Sequence, residues 1–263
     1  KSEDAFISRL SQGLTRYSGK HLRSALTIFS AYAVLDKGEK KSFVSDIARL
    51  AAGIELIHGA ALIHDDVMDH AVYRRNQPSL NASFGYEPAI AFGDYMYSKG
   101  MDLIARLNNP EIIKCVAQAA LGMCEGELMQ VMKRGDLGLK KHTYMTIIKK
   151  KTALLMSSSC ASSVILINKD DRTVRAFSAF GLNFGVAFQI VDDCLDIIGN
   201  SRDLGKPAGS DIEMGEMTLP LIYATGSGLS GTKRTLKNIL RRGKMSDKEK
   251  EAIIVSGAIH KAA

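Results

Sequence analysis

The sequence predicts an all-α fold, a single-domain helical bundle, on three observations. Apolar residues recur at helical spacing over runs too long for strands. Strand-like alternation is scarce. Each of the five prolines, Pro78, Pro88, Pro110, Pro207 and Pro220, lies at or near an apparent joint between helical runs, as expected of a residue that a helix interior excludes. Helices are therefore expected over about 21–35, 43–69, 87–107, 111–132, 142–167, 171–199 and 218–225, with another near 232–241 and a last from about 246. Pro88 and Pro110 stand where the third and fourth begin, Pro207 separates the sixth from the seventh, and Pro220 falls at the start of the seventh. Gly126, Gly181 and Gly185 fall inside helical patterns, where they cost stability but let neighbouring helices approach. The run 226–231 (GSGLSG) reads as a loop.

One domain over 1–263 accounts for the length. With 46% apolar and 24% charged residues the chain is neither disordered nor built of membrane spans. Its most apolar long stretch, 47–63, is interrupted by Arg49, Glu55 and His58, so no spanning helix is expected. No signal peptide is read before the first helix. Cys115, Cys124, Cys160 and Cys194 lack CxxC spacing and flanking histidines and read as buried thiols in a reducing cytoplasm. Net charge is +7, yet Trp is absent and the basic residues are not interleaved with aromatics. That argues for an anionic small substrate and against nucleic acid. The basic stretch 233–250 reads as a solvated surface.

The chemistry lies in two acidic patterns, Asp65-Asp66-Val67-Met68-Asp69 and Asp192-Asp193-Cys194-Leu195-Asp196, each ending an apolar helical stretch. Helical advance puts Asp65 and Asp69 on one face, and likewise Asp192 and Asp196. If the two helices face each other, six carboxylates converge, which is tolerable only with cations between them. A magnesium cluster holding a phosphate-bearing ligand is the expectation.

Five further motifs stand in order: Gly19-Lys20-His21-Leu22-Arg23, then Arg74-Arg75, then Lys151-Thr152-Ala153, then Phe188-Gln189-Ile190-Val191, and last 205–211 (GKPAGSD) taken together with Thr218-Leu219-Pro220. A lone DDxxD is weak, but two copies with five companions in order resemble the trans-isoprenyl (polyprenyl) diphosphate synthases, over residues 19 to about 224. The resemblance implies an isoprenoid-synthase helical bundle, a homodimer, that condenses an allylic diphosphate with isopentenyl diphosphate using Mg²⁺, three ions per site. It implies Asp65, Asp69 and Asp192 as leading metal ligands, with Asp66, Asp193 and Asp196 as ligands or their supports. Arg74, Lys151, Thr152, Gln189 and Lys206 would hold the allylic diphosphate. Lys20, Arg23, His58 and Arg75 would hold the metal-free diphosphate of the second substrate. Six carboxylates and a diphosphate of roughly −3 total about −9 against +6 from three Mg²⁺, so those cations are needed.

In isolation the same residues read differently. A helix histidine such as His58 is a packing residue, Arg74-Arg75 an ordinary surface pair and Lys149 to Lys151 a solvated face. The chain also departs from the family. His21 and Ser24 stand where Arg and Pro are usual, Asn76 replaces a common Gly, and Glu216 stands where many members carry a diphosphate-holding Lys. The sequence is short before Gly19 and after Ala258, so parts of the terminal helices are expected to be lacking.

Ala61 lies one turn before Asp65, with Ala60 beside it. Short-chain members place an aromatic near here as a floor for the growing tail. Two methyl side chains leave the way open, so a linear product beyond fifteen carbons, of twenty-five or more, is expected. A geranylgeranyl diphosphate synthase, a class I terpene cyclase or a noncatalytic subunit of a two-component synthase are the alternatives. The enzyme is expected in the cytoplasm without a membrane span, although a long product would call for membrane or carrier contact.

Overall fold

The computed structural model describes residues 5–15, 19–36, 38, 40–74, 77–199, 209–226, 230–246, 248–249 and 253. The helices are α1 (Ala5–Thr15), α2 (Leu22–Val34), α3 (Lys40–Met68), α4 (Leu80–Phe84), α5 (Tyr86–Ala105), α6 (Pro110–Met132), α7 (Lys141–Ile148), α8 (Leu154–Leu166), α9 (Asp171–Ile198), α10 (Ser210–Glu213), α11 (Leu219–Gly226) and α12 (Ser230–Arg242). The all-α expectation holds. Among the described residues the strands are one hairpin, β1 (Tyr73–Arg74) paired antiparallel with β2 (Gln77–Pro78).

The chain divides into two compact units, Lys1–Leu121 with Leu154–Asn183, and Gly122–Ala153 with Phe184–Ala263. In the first unit α3 packs along α5 and also meets α2, α4 and α8. The approach of α3 to α5 is close because Gly53 has no side chain: a Cβ there would lie 2.7 Å from Ile104 and 3.0 Å from the Gly100 carbonyl. Leu10, Ala60, Ile63, Leu80, Ala89, Phe92 and Met96 form an apolar cluster of this unit. Helix α8 is buried almost throughout although five of its residues are serines. Three of them turn their hydroxyls back along the helix, Ser159 to the Leu155 carbonyl, Ser162 to that of Ser158 and Ser163 to that of Ser159, at 2.6–2.8 Å. Their donors are thereby satisfied without water.

In the second unit the core joins Leu139, Tyr144, Ile148, Ile197, Ile212, Met217, Leu219, Leu221, Leu236, Ile239 and Ile253. The expected continuous helix over about 142–167 is interrupted by a π-helical turn, Lys149–Ala153, between α7 and α8. It carries Lys151 and Thr152 of a motif that the sequence singles out.

By length and composition alone two helices, Lys41–Met68 and Asp171–Ile198, are apolar enough to cross a membrane. In α3 that apolar character serves the packing just described, and α9 carries Asp192, Asp193 and Asp196 in its last turns. All four cysteines are free; Cys160 and Cys194 are buried and Cys115 half-buried. Cys124 is exposed, against expectation, because it shares the outward stripe of α6 with Leu128 and Met132.

Candidate active site

In the first unit α3 delivers Asp65, Asp66 and Asp69. Asp66 is buried and held by Arg74 of the hairpin, whose Nε lies 2.6 and 2.7 Å from the two carboxylate oxygens and whose Nη2 lies 2.6 Å from Oδ1. Burial disfavours charge on Arg74, but the hydrogen bond and charge of Asp66, with Asp65 and Asp69 nearby, outweigh it and hold the guanidinium above its ordinary range. Arg74 thus neutralises the middle aspartate. Asp65 and Asp69 are half-buried, Asp65 in the last turn of α3 and Asp69 just beyond it.

The segment that presents Arg74 is itself fixed. Ser79 donates its hydroxyl to the Ala71 carbonyl at 2.6 Å and accepts the Ala82 amide at 3.2 Å, capping α4. Asn81 donates to the same Ala71 carbonyl at 3.0 Å.

The residues expected to hold the second diphosphate are partly together. Arg23 Nη1 lies 3.0 Å from His58 Nε2, joining α2 to α3. Burial lowers Arg23 to about 10, with the charge of Glu55 opposing. Its Nε is buried with no hydrogen-bond partner among the described residues, a donor available to an anion. Glu55 accepts the Ser24 hydroxyl at 2.7 Å and sits 3.3 Å from His21 Nδ1. The two departures from the family motif therefore meet on one carboxylate, and a proline at position 24 could not make the hydroxyl contact. Lys20 is exposed. Arg75 and Lys206 lie outside the described residues. The two floor candidates separate: Ala60 is buried beside Phe92 and Met96 on the α5 side, whereas Ala61 is half-buried.

In the second unit four side chains form a line. Thr152 donates to Gln189 Oε1 at 2.7 Å, Gln189 donates to Asp193 Oδ1 at 2.8 Å, and Tyr144 donates to Asp193 Oδ2 at 2.7 Å. Burial pushes Asp193 up to about 7, although the Tyr144 and Gln189 hydrogen bonds pull against it. Burial and then the charge of Asp193 drive the Tyr144 phenol upward, so it stays a donor.

Asp192 is exposed beside this line. Asp196 faces elsewhere: it is buried, accepts the Ser210 hydroxyl at 2.9 Å and the Asp211 amide at 3.2 Å, and anchors α10. Lys151 pairs with Glu127 of α6. A Cβ at Gly126 would lie 2.5 Å from the Lys151 backbone nitrogen, so glycine is what lets α6 reach the π-helical turn.

A cavity of about 120 Å³ opens where Lys151, Thr152, Gln189, Asp192, Asp193 and Glu216 meet. Thr218 also lines it, and its buried hydroxyl has no hydrogen-bond partner among the described residues. The lining groups are carboxylate, hydroxyl and amide oxygens with the ammonium groups of Lys151 and Lys133. That set suits a hard cation carrying phosphate oxygens and does not suit a thiolate or imidazole metal. A buried carboxylate as reluctant to ionise as Asp193 fits a place next to a cation.

Sequence reasoning missed Tyr144 and Glu127. Tyr144 lies two turns before Lys151, and Glu127 directly follows a glycine already marked for close packing, but neither spacing names its partner.

A family model of polyprenyl synthetase matches residues 4–256. The chain is 32% identical over 225 residues to heptaprenyl diphosphate synthase component 2 of Bacillus subtilis, a match covering 85% of this chain and 63% of that protein. It is 32% identical over 256 residues to a short chain isoprenyl diphosphate synthase of Methanocaldococcus jannaschii, covering 95% and 76%. Among solved structures, a polyprenyl synthase from Caulobacter crescentus complexed with calcium and isoprenyl diphosphate superposes with a TM-score of 0.91 at 31% identity, covering all of this chain and 79% of that one. The chain belongs to the polyprenyl synthetase family. It spans under two thirds of the Bacillus protein's length.

Proposed function

We propose that the protein is a Mg²⁺-dependent prenyltransferase that condenses an allylic diphosphate with isopentenyl diphosphate to a linear all-trans polyprenyl diphosphate of twenty-five carbons or more. The observation that supports this reading is the line Thr152–Gln189–Asp193–Tyr144 beside Lys151 and Asp192, in which Lys151, Thr152 and Gln189, three of the five residues expected to hold the allylic diphosphate, line one acidic cavity. Support also comes from the names of relatives, heptaprenyl, decaprenyl and solanesyl diphosphate synthases among them.

Asp65, Asp69 and Asp192 are the proposed Mg²⁺ ligands. Bound Mg²⁺ would stabilise negative charge on a departing diphosphate. Lys151, oriented by Glu127, supplies a fixed charge for the same oxygens, and Thr152, whose hydroxyl hydrogen goes to Gln189 Oε1, holds the Gln189 amide in place beside it. The bond between the allylic carbon and oxygen breaks with its electron pair on the diphosphate. The isopentenyl double bond attacks the allylic carbon, and the displaced diphosphate takes the proton lost afterwards. Arg23 and His58 hold the second diphosphate without a metal.

Half-buried Ala61, on the stripe of His58 and Asp65, is the proposed floor position, where a methyl group leaves room for a growing tail. The exposed stripe Cys124, Leu128 and Met132 on α6 supports a homodimer.

The test is incubation of the purified protein with farnesyl and isopentenyl diphosphates, with and without Mg²⁺, followed by mass spectrometry. A linear diphosphate of twenty-five or more carbons is expected, formed only with Mg²⁺. A cyclic hydrocarbon, or no product under any metal condition, would overturn the reading.

A further inference from the structure

The net charge of +7 is not spread over the molecule. Residues 217–246 hold Lys233, Arg234, Lys237, Arg241, Arg242 and Lys244 and no Asp or Glu, which is six of the seven charges; the other 233 residues carry 29 basic against 28 acidic. A substrate site cannot account for the excess, because the cations expected of it lie elsewhere in the sequence.

Helix α12 arranges these charges. Leu236 and Ile239 are buried in the core of the second unit, and α12 packs on α10 and α11. Lys233, Arg234, Lys237 and Arg241 are all exposed and recur at spacings of three and four, so they share the face opposite Leu236 and Ile239. Lys244 follows, also exposed. Arg242 projects to another side and is bound by Glu249 at 2.5 Å. Among the described residues no acidic side chain pairs with the other five. Solvated helices ordinarily mix charges of both signs along such a face.

We infer that this face of α12 docks the protein on an anionic phospholipid bilayer. The choice of lipid rests on the proposed function, since a long polyprenyl diphosphate partitions into a bilayer and leaves the enzyme most readily at its surface. The geometry also limits how the helix binds. Its apolar side is committed to the core, so it lies on the headgroups by charge alone and does not insert. No aromatic residue stands on α12 to stack with the bases of a single-stranded nucleic acid.

The test is sedimentation of the full chain with phosphatidylcholine vesicles and with vesicles one-third phosphatidylglycerol. Binding is expected only to the latter, and to be lost between about 0.1 M and 1 M salt as the Debye length contracts from about 10 to about 3 Å. Each basic residue at such a surface is worth about fivefold in affinity. The triple variant Lys233→Gln, Arg234→Gln, Lys237→Gln should therefore bind roughly a hundredfold more weakly, with unchanged circular dichroism. These residues are solvent-facing, so refolding of the core is not at issue. Absence of vesicle binding at low salt, equal binding by the variant, or displacement of the protein from vesicles by a duplex DNA at equal charge would overturn the inference. Vesicle binding needs no turnover, so a failure of the proposed activity and a failure of docking are read separately.

Discussion

Replacing Tyr144 by Phe tests the arrangement around Asp193. The substitution keeps the ring in its place within the core and removes only the hydroxyl, which donates to Asp193 Oδ2 at 2.7 Å. Both residues are buried, Tyr144 to 3% and Asp193 to 4% exposure, so water cannot take over the bond at no cost. A hydrogen bond to a charged group contributes about 1.5–3 kcal/mol, and stranding a buried acceptor costs about 1–3 kcal/mol. Asp193 retains the Gln189 amide, which limits the damage, so a loss of about 2 kcal/mol is expected. That corresponds to roughly a thirtyfold change in an opening equilibrium. With two compact units in the chain, a single global transition need not report it. Amide hydrogen exchange over α7 and residues 184–198 does, since these segments open as part of the second unit. Protection there should fall by roughly thirtyfold, while α3 and α5 keep theirs. Pairing the change with Gln189→Leu should give a coupling above about 0.5 kcal/mol, because both residues hold the same carboxylate. Unchanged protection in Tyr144→Phe would mean that the phenol does not hold Asp193 and that the line of four is not a structural unit.

Arg74→Ala should cost about 2–3 kcal/mol in chemical denaturation, at the low end for a broken buried pair because the Arg74 side chain is 29% exposed; Arg74→Lys should not restore it, since a lysine cannot present the fork that holds both Asp66 oxygens. Gly126→Ala sets a Cβ 2.5 Å from the Lys151 backbone and should lower stability by about 1–3 kcal/mol while weakening allylic diphosphate binding, read by isothermal titration. Iodoacetamide should label exposed Cys124 ahead of Cys115, Cys160 and Cys194, whose thiols burial pushes up. In a homodimer built on the α6 stripe, Cys124 should become protected as the concentration rises. Ala61→Phe should shorten the product with the fold intact, whereas Ala60→Phe should first disrupt the cluster containing Phe92 and Met96; equal product lengths from Ala61→Phe and wild type would remove the floor.

The long helices were legible because their apolar period repeats many times and prolines punctuate it. The predicted and observed limits of α3, α5, α6 and α9 differ by no more than three residues. What escaped has too little sequence to carry a period. Helix α4 has five residues and each strand two. The π-helical turn shifts the register without changing residue types in a way that marks it. The motif aspartates were equally plain, but their roles were not. Asp66 is taken by Arg74 and Asp196 by Ser210 and Asp211, because a turn of helix presents neighbouring carboxylates to different surroundings. Tyr144 and Asp193 lie 49 residues apart, a pairing that only the folded chain defines.

The charge reversal at Glu216 becomes intelligible from the same surroundings. Arg134 Nη2 lies 3.5 Å from Glu216 Oε1, so the position contributes a near-neutral pair in place of the cation that the family resemblance leads one to expect there. Lys151 and Lys133, the cations that line this cavity, are matched by Glu127 and Asp136. Asp192 and Asp193 remain on the acidic side of the balance, and the Glu216 charge adds to what raises Asp193. A diphosphate entering this cavity alone would meet more negative charge than positive. Under the proposed function it would therefore arrive with its own divalent ions, and the more completely the protein's cations are matched in advance, the more the binding of substrate and of metal would become one event.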